Sequence, residues 1–270
     1  MIIFLDVDGT YADHGVVPEA NAAAVRAARS RGHRVLLCTG RPACMLPPSI
    51  SGAGFDGVVA SAGAYVEVGG KVLRDRRFPQ DLAEKAVSVL DAYRVAYLLE
   101  APENLSGPAD IAERLATVFG RLKDRSGAPR STPAVLGEVL SEPHALTTPF
   151  SKITVFESSV PVPRLGEMIG AEVATLPSSM PDMGSSAGEI FLADEHKERG
   201  ARLAADAFGA EVQDIVAVGD GYNDLEMLSW AGTGVAIEGA PPAVLAVADM
   251  TTPGPQHGGL ATLFARLGLT

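Results

Sequence analysis

Asp6 and Asp8 stand two residues apart in the stretch DVDGT, directly after the apolar run Ile2 to Leu5. If strand geometry continues past Leu5, both side chains turn to one face. Two carboxylates that close allow a division of labour. One attacks an electrophile while the other serves as general acid and base, and a hard divalent cation suppresses their mutual repulsion. An Asx turn or a helix cap at a strand end is the plainer reading of the same pair. A second acidic group, Asp220, Asn223 and Asp224 in GDGYND, offers oxygen ligands for a metal such as Mg²⁺, or ordinary capping of the next helix. Thr39, Gly40 and Arg41 in CTGR supply a hydroxyl and loop N–H groups suited to phosphate oxygens, with a plain surface arginine as the alternative for Arg41. Lys197 begins a helix, where the dipole disfavours a cation, so it is either functional or simply solvated.

These residues need elements that bring them together. Ile2 to Leu5 reads as a strand buried on both faces, Pro18 to Arg31 as a helix closed by Gly32, and Val35 to Cys38 as a second buried strand. The same alternation returns late in the chain: a helix at Lys197 to Phe208, a strand at Ile215 to Val218, a helix at Asp224 to Trp230 and a strand at Val235 to Ile237. Right-handed parallel crossovers are implied by this order, and each half alone is too small to bury a core. The expectation is an α/β fold, a doubly wound parallel-sheet core resembling a Rossmann fold, formed by residues 1–79 and 189–270. Val58 to Ser61 supplies a third strand, and Tyr65 to Leu73 a hairpin turning at Gly69 and Gly70. Residues 80–188, with the further Pro- and Ser-rich loop Ser126 to Pro133, read as an inserted α+β domain. In an open parallel sheet, ligands bind beyond the carboxyl ends of the strands near the point where strand order reverses, and the three polar loops fall at such ends.

Composition narrows the function. A formal net charge of −11 disfavours nucleic acid and anionic membrane surfaces, which demand clustered Lys and Arg, so a small ligand is the better candidate. An anionic ligand then requires a metal or a well-placed Lys or Arg. Cys38 and Cys44 have neither disulfide-scaffold nor zinc spacing. The N-terminus lacks the basic start of a signal peptide, and no segment reaches about 20 apolar residues, so a cytoplasmic location is expected. Gly52, Gly54 and Gly57 satisfy a dinucleotide fingerprint but precede a strand rather than follow one, and Gly184, Ser186 and Gly188 lack the helix a nucleophile elbow needs. His257 is a lone loop histidine, more simply solvated than functional.

In order, DVDGT, Thr39 in LLCTGR, Lys197 in HKERG and GDGYNDLEML resemble the four motifs of the haloacid dehalogenase-like phosphatase superfamily. The inserted region resembles the larger cap of its Cof-type branch. The resemblance implies that Asp6 is a nucleophile that becomes an aspartyl-phosphate and that Asp8 is its acid and base. It implies a phosphate site of Asp8, Gly9, Thr39, Gly40, Arg41, Lys197 and Asn223. Asp6, the carbonyl of Asp8, Asp220 and Asp224 are implied as the Mg²⁺ site, and the cap as the source of specificity. A hydrolase of small phosphorylated metabolites is expected, with a phosphoryl-transfer mutase or a non-catalytic binding protein as alternatives. Tyr11 and Ala62 depart from the usual motifs, and Ala62 puts the substrate in doubt rather than the chemistry. Oligomeric state is left open.

Overall fold

The computed structural model describes residues 1–122, 133–140, 149–178 and 181–270. The expected loop at Ser126 to Pro133 lies, except for Pro133, outside them. The chain divides into two compact units, Met1–Asp75 with His196–Thr270, and Arg76–Glu195. Strands β1 (Ile2–Leu5), β2 (Arg34–Cys38), β3 (Gly57–Ala60), β4 (Tyr65–Val68) and β5 (Lys71–Asp75) open the first unit. Then β6 (Ala96–Glu100), β7 (Leu105–Ser106), β8 (Lys152–Glu157), β9 (Val173–Pro177) and β10 (Gly188–Leu192) build the second. The chain returns to the first unit with β11 (Ile215–Gly219), β12 (Thr233–Ile237) and β13 (Met250–Thr252).

The first unit holds an eight-stranded sheet in the order β13-β12-β11-β1-β2-β3-β4-β5, parallel as far as β3 and closed by the antiparallel hairpin β4–β5. Its unbroken apolar strands have a direct cause, since both faces are covered. Ile3 and Leu5 pack under helices Glu19–Ser30 and Gly259–Arg266, while Ile2 and Phe4 pack against helices Lys197–Ala207 and Leu225–Trp230. The chain runs from β1 to β2 and β3 on one side and comes back as β11, β12 and β13 on the other. Strand order therefore reverses beside β1, where Asp6, Thr39 and Asp220 follow β1, β2 and β11. The helix after Pro18 and the Gly69–Gly70 hairpin form as expected. Strand β13 and helices Pro242–Val247 and Gly259–Arg266 were not foreseen; β13 is a three-residue edge strand, MTT, too short to show a period.

The second unit is an α+β unit inserted between β5 and helix Lys197–Ala207. Its sheet is antiparallel, in the order β7-β6-β8-β10-β9. Helices Gln80–Ala92 and Val162–Ile169 share a core with Tyr97, Leu99, Ile153, Val155 and Ile190. The limits 79/80 and 188/189 read from the sequence are displaced to 75/76 and 195/196. EIFLAD, expected in the core, supplies β10, which pairs with β8 and β9; Phe78 N donates to Phe150 O at 2.8 Å, tying the entering segment to the same unit. No helix among the described residues is long and apolar enough to cross a membrane.

Candidate active site

β1 stops at Leu5, and the chain then enters a tight turn. Asp6 N still donates to Val218 O on β11 (2.9 Å), but Ala12 N closes back on Val7 O (2.7 Å) and Gly9 N on Ala12 O (2.9 Å). The two carboxylates consequently sit in different surroundings: Asp6 is 6% exposed, whereas the Asp8 side chain is 46% exposed. Gly9 is needed for this turn. Its φ is +84°, and a Cβ there would lie 2.3 Å from Asp220 Oδ2. The loop after β1 thus presses on the loop after β11, and Thr10, fully buried, donates its hydroxyl to Asp220 Oδ1 at 3.1 Å. That contact was missed from the sequence because a Thr in a motif carries no sign of its distant partner.

Lys197, the first residue of its helix, is buried with Nζ 2.6 Å from Asp6 Oδ1 and 2.6 Å from Asp224 Oδ1. The solvated alternative for this lysine is therefore excluded. Burial pulls its pKa down, but Asp224 and Asp6 outweigh burial and hold the ammonium above its ordinary range. Asp224 is occupied on both sides, since its Oδ2 accepts from the backbone N of Asp220 (3.0 Å) and Gly221 (2.9 Å). It both caps the turn Tyr222–Asp224 and anchors Lys197. Asn223 lies half-buried on the same turn.

Thr39 is buried beyond β2. Its N donates to Val59 O (2.8 Å) and its Oγ1 accepts from Arg41 N (3.1 Å), which leaves the hydroxyl proton to donate to a ligand. The surface alternative for Arg41 fails too. Its guanidinium engages Asp8 with two hydrogen bonds, Nε to Oδ2 at 2.7 Å and Nη2 to Oδ1 at 2.6 Å. Cys38 is buried near Lys197, and desolvation pushes the pKa of its thiol up. His257 is exposed on the turn Pro255–His257.

Charge in this site is unbalanced. Burial raises Asp6 well above the carboxylate range; Lys197 opposes the shift, while Asp224, Asp220 and Asp8 add to it. Burial, then the Asp224 charge, pushes Asp220 up to about 6. Asp6, Asp220 and Asp224 offer oxygens that all lie within 4.8 Å of one another, against one lysine. An all-oxygen set with excess negative charge fits a hard divalent cation better than zinc, which prefers nitrogen and sulfur.

A doubly wound core with a buried Asp–Lys–Asp group at its switch point defines a hydrolase class, and the chain belongs to it: it is a member of the haloacid dehalogenase-like hydrolases, matched over residues 3–264. YkrA of Bacillus subtilis (strain 168) is 23% identical over 270 residues, 99% of this chain and 98% of its own. YwtE of the same organism, a 5-amino-6-(5-phospho-D-ribitylamino)uracil phosphatase, is 23% identical over 251 residues, 88% of this chain and 87% of its own. The solved subclass IIB sugar phosphatase BT4131 has the same fold, with a TM-score of 0.77 at 20% identity, over 100% of this chain and 99% of that one.

Proposed function

We propose that this chain is a Mg²⁺-dependent phosphatase that hydrolyses small phosphate monoesters through an aspartyl-phosphate on Asp6. The observation that carries the reading is the buried Lys197 ammonium, 2.6 Å from both Asp6 and Asp224. A cation so placed opposes the upward shift that burial imposes on the Asp6 carboxyl, and it meets the negative charge of an arriving phosphoryl group. Asp6 then attacks phosphorus, and Asp8, on its exposed turn, gives a proton to the departing oxygen. In the second half-reaction Asp8 takes a proton from the attacking water, and orthophosphate leaves Asp6. Thr39, Lys197 and Asn223, with loop N–H groups beyond β2, cradle the transferring oxygens. Asp6, Asp220 and the Asp8 carbonyl would hold Mg²⁺, with Asp224 in support; the ion supplies positive charge that offsets the carboxylates and polarises the phosphoryl oxygens.

The substrates of YwtE and BT4131 favour a phosphorylated sugar or polyol, with the inserted unit selecting the leaving group. A panel of phosphorylated metabolites, with released orthophosphate as readout, tests the reading. Hydrolysis should require Mg²⁺ and fall by more than about a hundredfold in Asp6→Asn, whose amide keeps the shape but cannot attack. Substantial hydrolysis by Asp6→Asn would make water the direct nucleophile.

A further inference from the structure

Arg41 is the residue whose fork closes on the Asp8 carboxylate. Nε and Nη2 close on the two oxygens of Asp8, and Nη1 donates to Met45 O at 3.3 Å. Its backbone is fixed as well, with N on Thr39 Oγ1 (3.1 Å) and O accepting from Ser61 N (2.8 Å). The backbone on either side of Asp8 is closed by Ala12 N on Val7 O (2.7 Å) and Gly9 N on Ala12 O (2.9 Å), whereas its carboxylate is held by the Arg41 fork. Asp8 stands on a turn with a side chain 46% exposed, whereas that of Arg41 is 20% exposed. An exposed carboxylate on a turn samples several rotamers, and a planar two-point donor fixes its direction in a way a lysine cannot.

We infer that Arg41 is the positioning residue of the acid–base group: it aims the Asp8 carboxylate and does not hold the transferring phosphoryl group. The inference rests on the reaction proposed for this site. In the first half of that reaction an Asp6 oxygen bonds to phosphorus as the phosphorus–oxygen bond to the leaving group breaks. The released electron pair stays on the leaving oxygen, which takes the Asp8 proton. In the second half a water oxygen bonds to phosphorus and its proton passes to Asp8. The Asp6–phosphorus bond breaks, and its electron pair restores the Asp6 carboxylate. Arg41 touches none of the atoms in transit; it sets where the proton is delivered and collected.

The dependence on leaving group separates the roles. The Mg²⁺-loaded full chain is assayed for kcat/KM on p-nitrophenyl phosphate, whose leaving group departs without a proton, and on phenyl phosphate, whose leaving group needs one. Inhibition by orthophosphate is measured alongside. Arg41→Ala and Arg41→Lys should each lose on the order of ten- to a hundredfold on phenyl phosphate, within the range of general acid catalysis, and about threefold or less on p-nitrophenyl phosphate. Orthophosphate inhibition should not change. Lysine keeps the charge without the fork, so an Arg41→Lys enzyme equal to wild type on both esters overturns the inference, and it decides the matter if Arg41→Ala does not fold. Equal losses on both esters with weaker orthophosphate inhibition would instead assign Arg41 to the phosphoryl group. A wild-type enzyme that hydrolyses neither ester would contradict the proposed reaction itself.

Discussion

Lys197 is outnumbered. One buried ammonium lies between Asp6 and Asp224, with Asp220 part of the same oxygen cluster, and burial raises the cost of every uncompensated charge. Asp220 responds by moving from 3.8 to about 6. Proton counting gives the sign of the effect on stability. Between those values the metal-free folded chain keeps a proton that the unfolded chain has lost, so its stability falls as pH rises across the window. A divalent cation must displace that proton. The Mg²⁺ concentration for half-maximal activity should therefore climb below pH about 6, by at least about tenfold per unit, and more steeply where Asp6 also holds a proton. Titrations of Mg²⁺ at several pH values check this; a midpoint unchanged down to pH about 5 would contradict competition between the ion and a proton on Asp220. Residue types and spacing made the three polar loops and Lys197 legible, because a carboxylate pair after a buried strand has few uses. The partners were not legible. That Arg41 closes on Asp8 and Thr10 on Asp220 depends on side-chain directions that only the packed loops define.

Between residue and chain, the deciding element is the turn after β1. Strand periodicity would send Asp6 and Asp8 to one face, but β1 ends before them and Gly9 folds the chain back. Gly9→Ala would add left-handed strain of about 1–2 kcal/mol and drive a methyl against Asp220. Its Mg²⁺ midpoint should rise by about tenfold or more, the effect expected of a disturbed ligand support. Gly239→Ala is the matched control: φ is +87° but nothing lies within 4 Å, so it bears the strain and should keep the wild-type midpoint. Equal midpoints in the two variants would remove the link between this turn and Asp220. Helices and strands with long apolar periods were readable to within a residue or two, including Glu19–Ser30 and β11. β10 shows why the rest was not. Gly188–Leu192 has the apolar character of a core strand, and its membership of the second sheet comes from antiparallel partners on β8 and β9, which composition does not name.

At the scale of the molecule, a discontinuous first unit carries the candidate chemistry, and Arg76–Glu195 forms its own sheet and apolar core. That division suggests separable roles. Substitutions at exposed positions of the second unit should reorder kcat/KM among phosphorylated sugars while leaving a minimal substrate such as acetyl phosphate within about threefold, since a lost leaving-group contact alters discrimination by roughly 1–3 kcal/mol. A uniform change across all substrates would count against a specificity role. The net charge of −11 gives a phosphate monoester no general attraction, so capture must depend on local positive charge, which Lys197 supplies beside Asp6. The most direct measurement is a rapid acid quench of the Asp8→Asn chain with Mg²⁺ and p-nitrophenyl phosphate, followed by peptide mass analysis. Nitrophenol leaves without an acid, while water lacks its base, so the phosphoryl group should be found on the peptide at Asp6 in near one-to-one amount with the nitrophenol first released. Nitrophenol released with no phosphoryl group on the protein, or with one on a residue other than Asp6, would contradict the account.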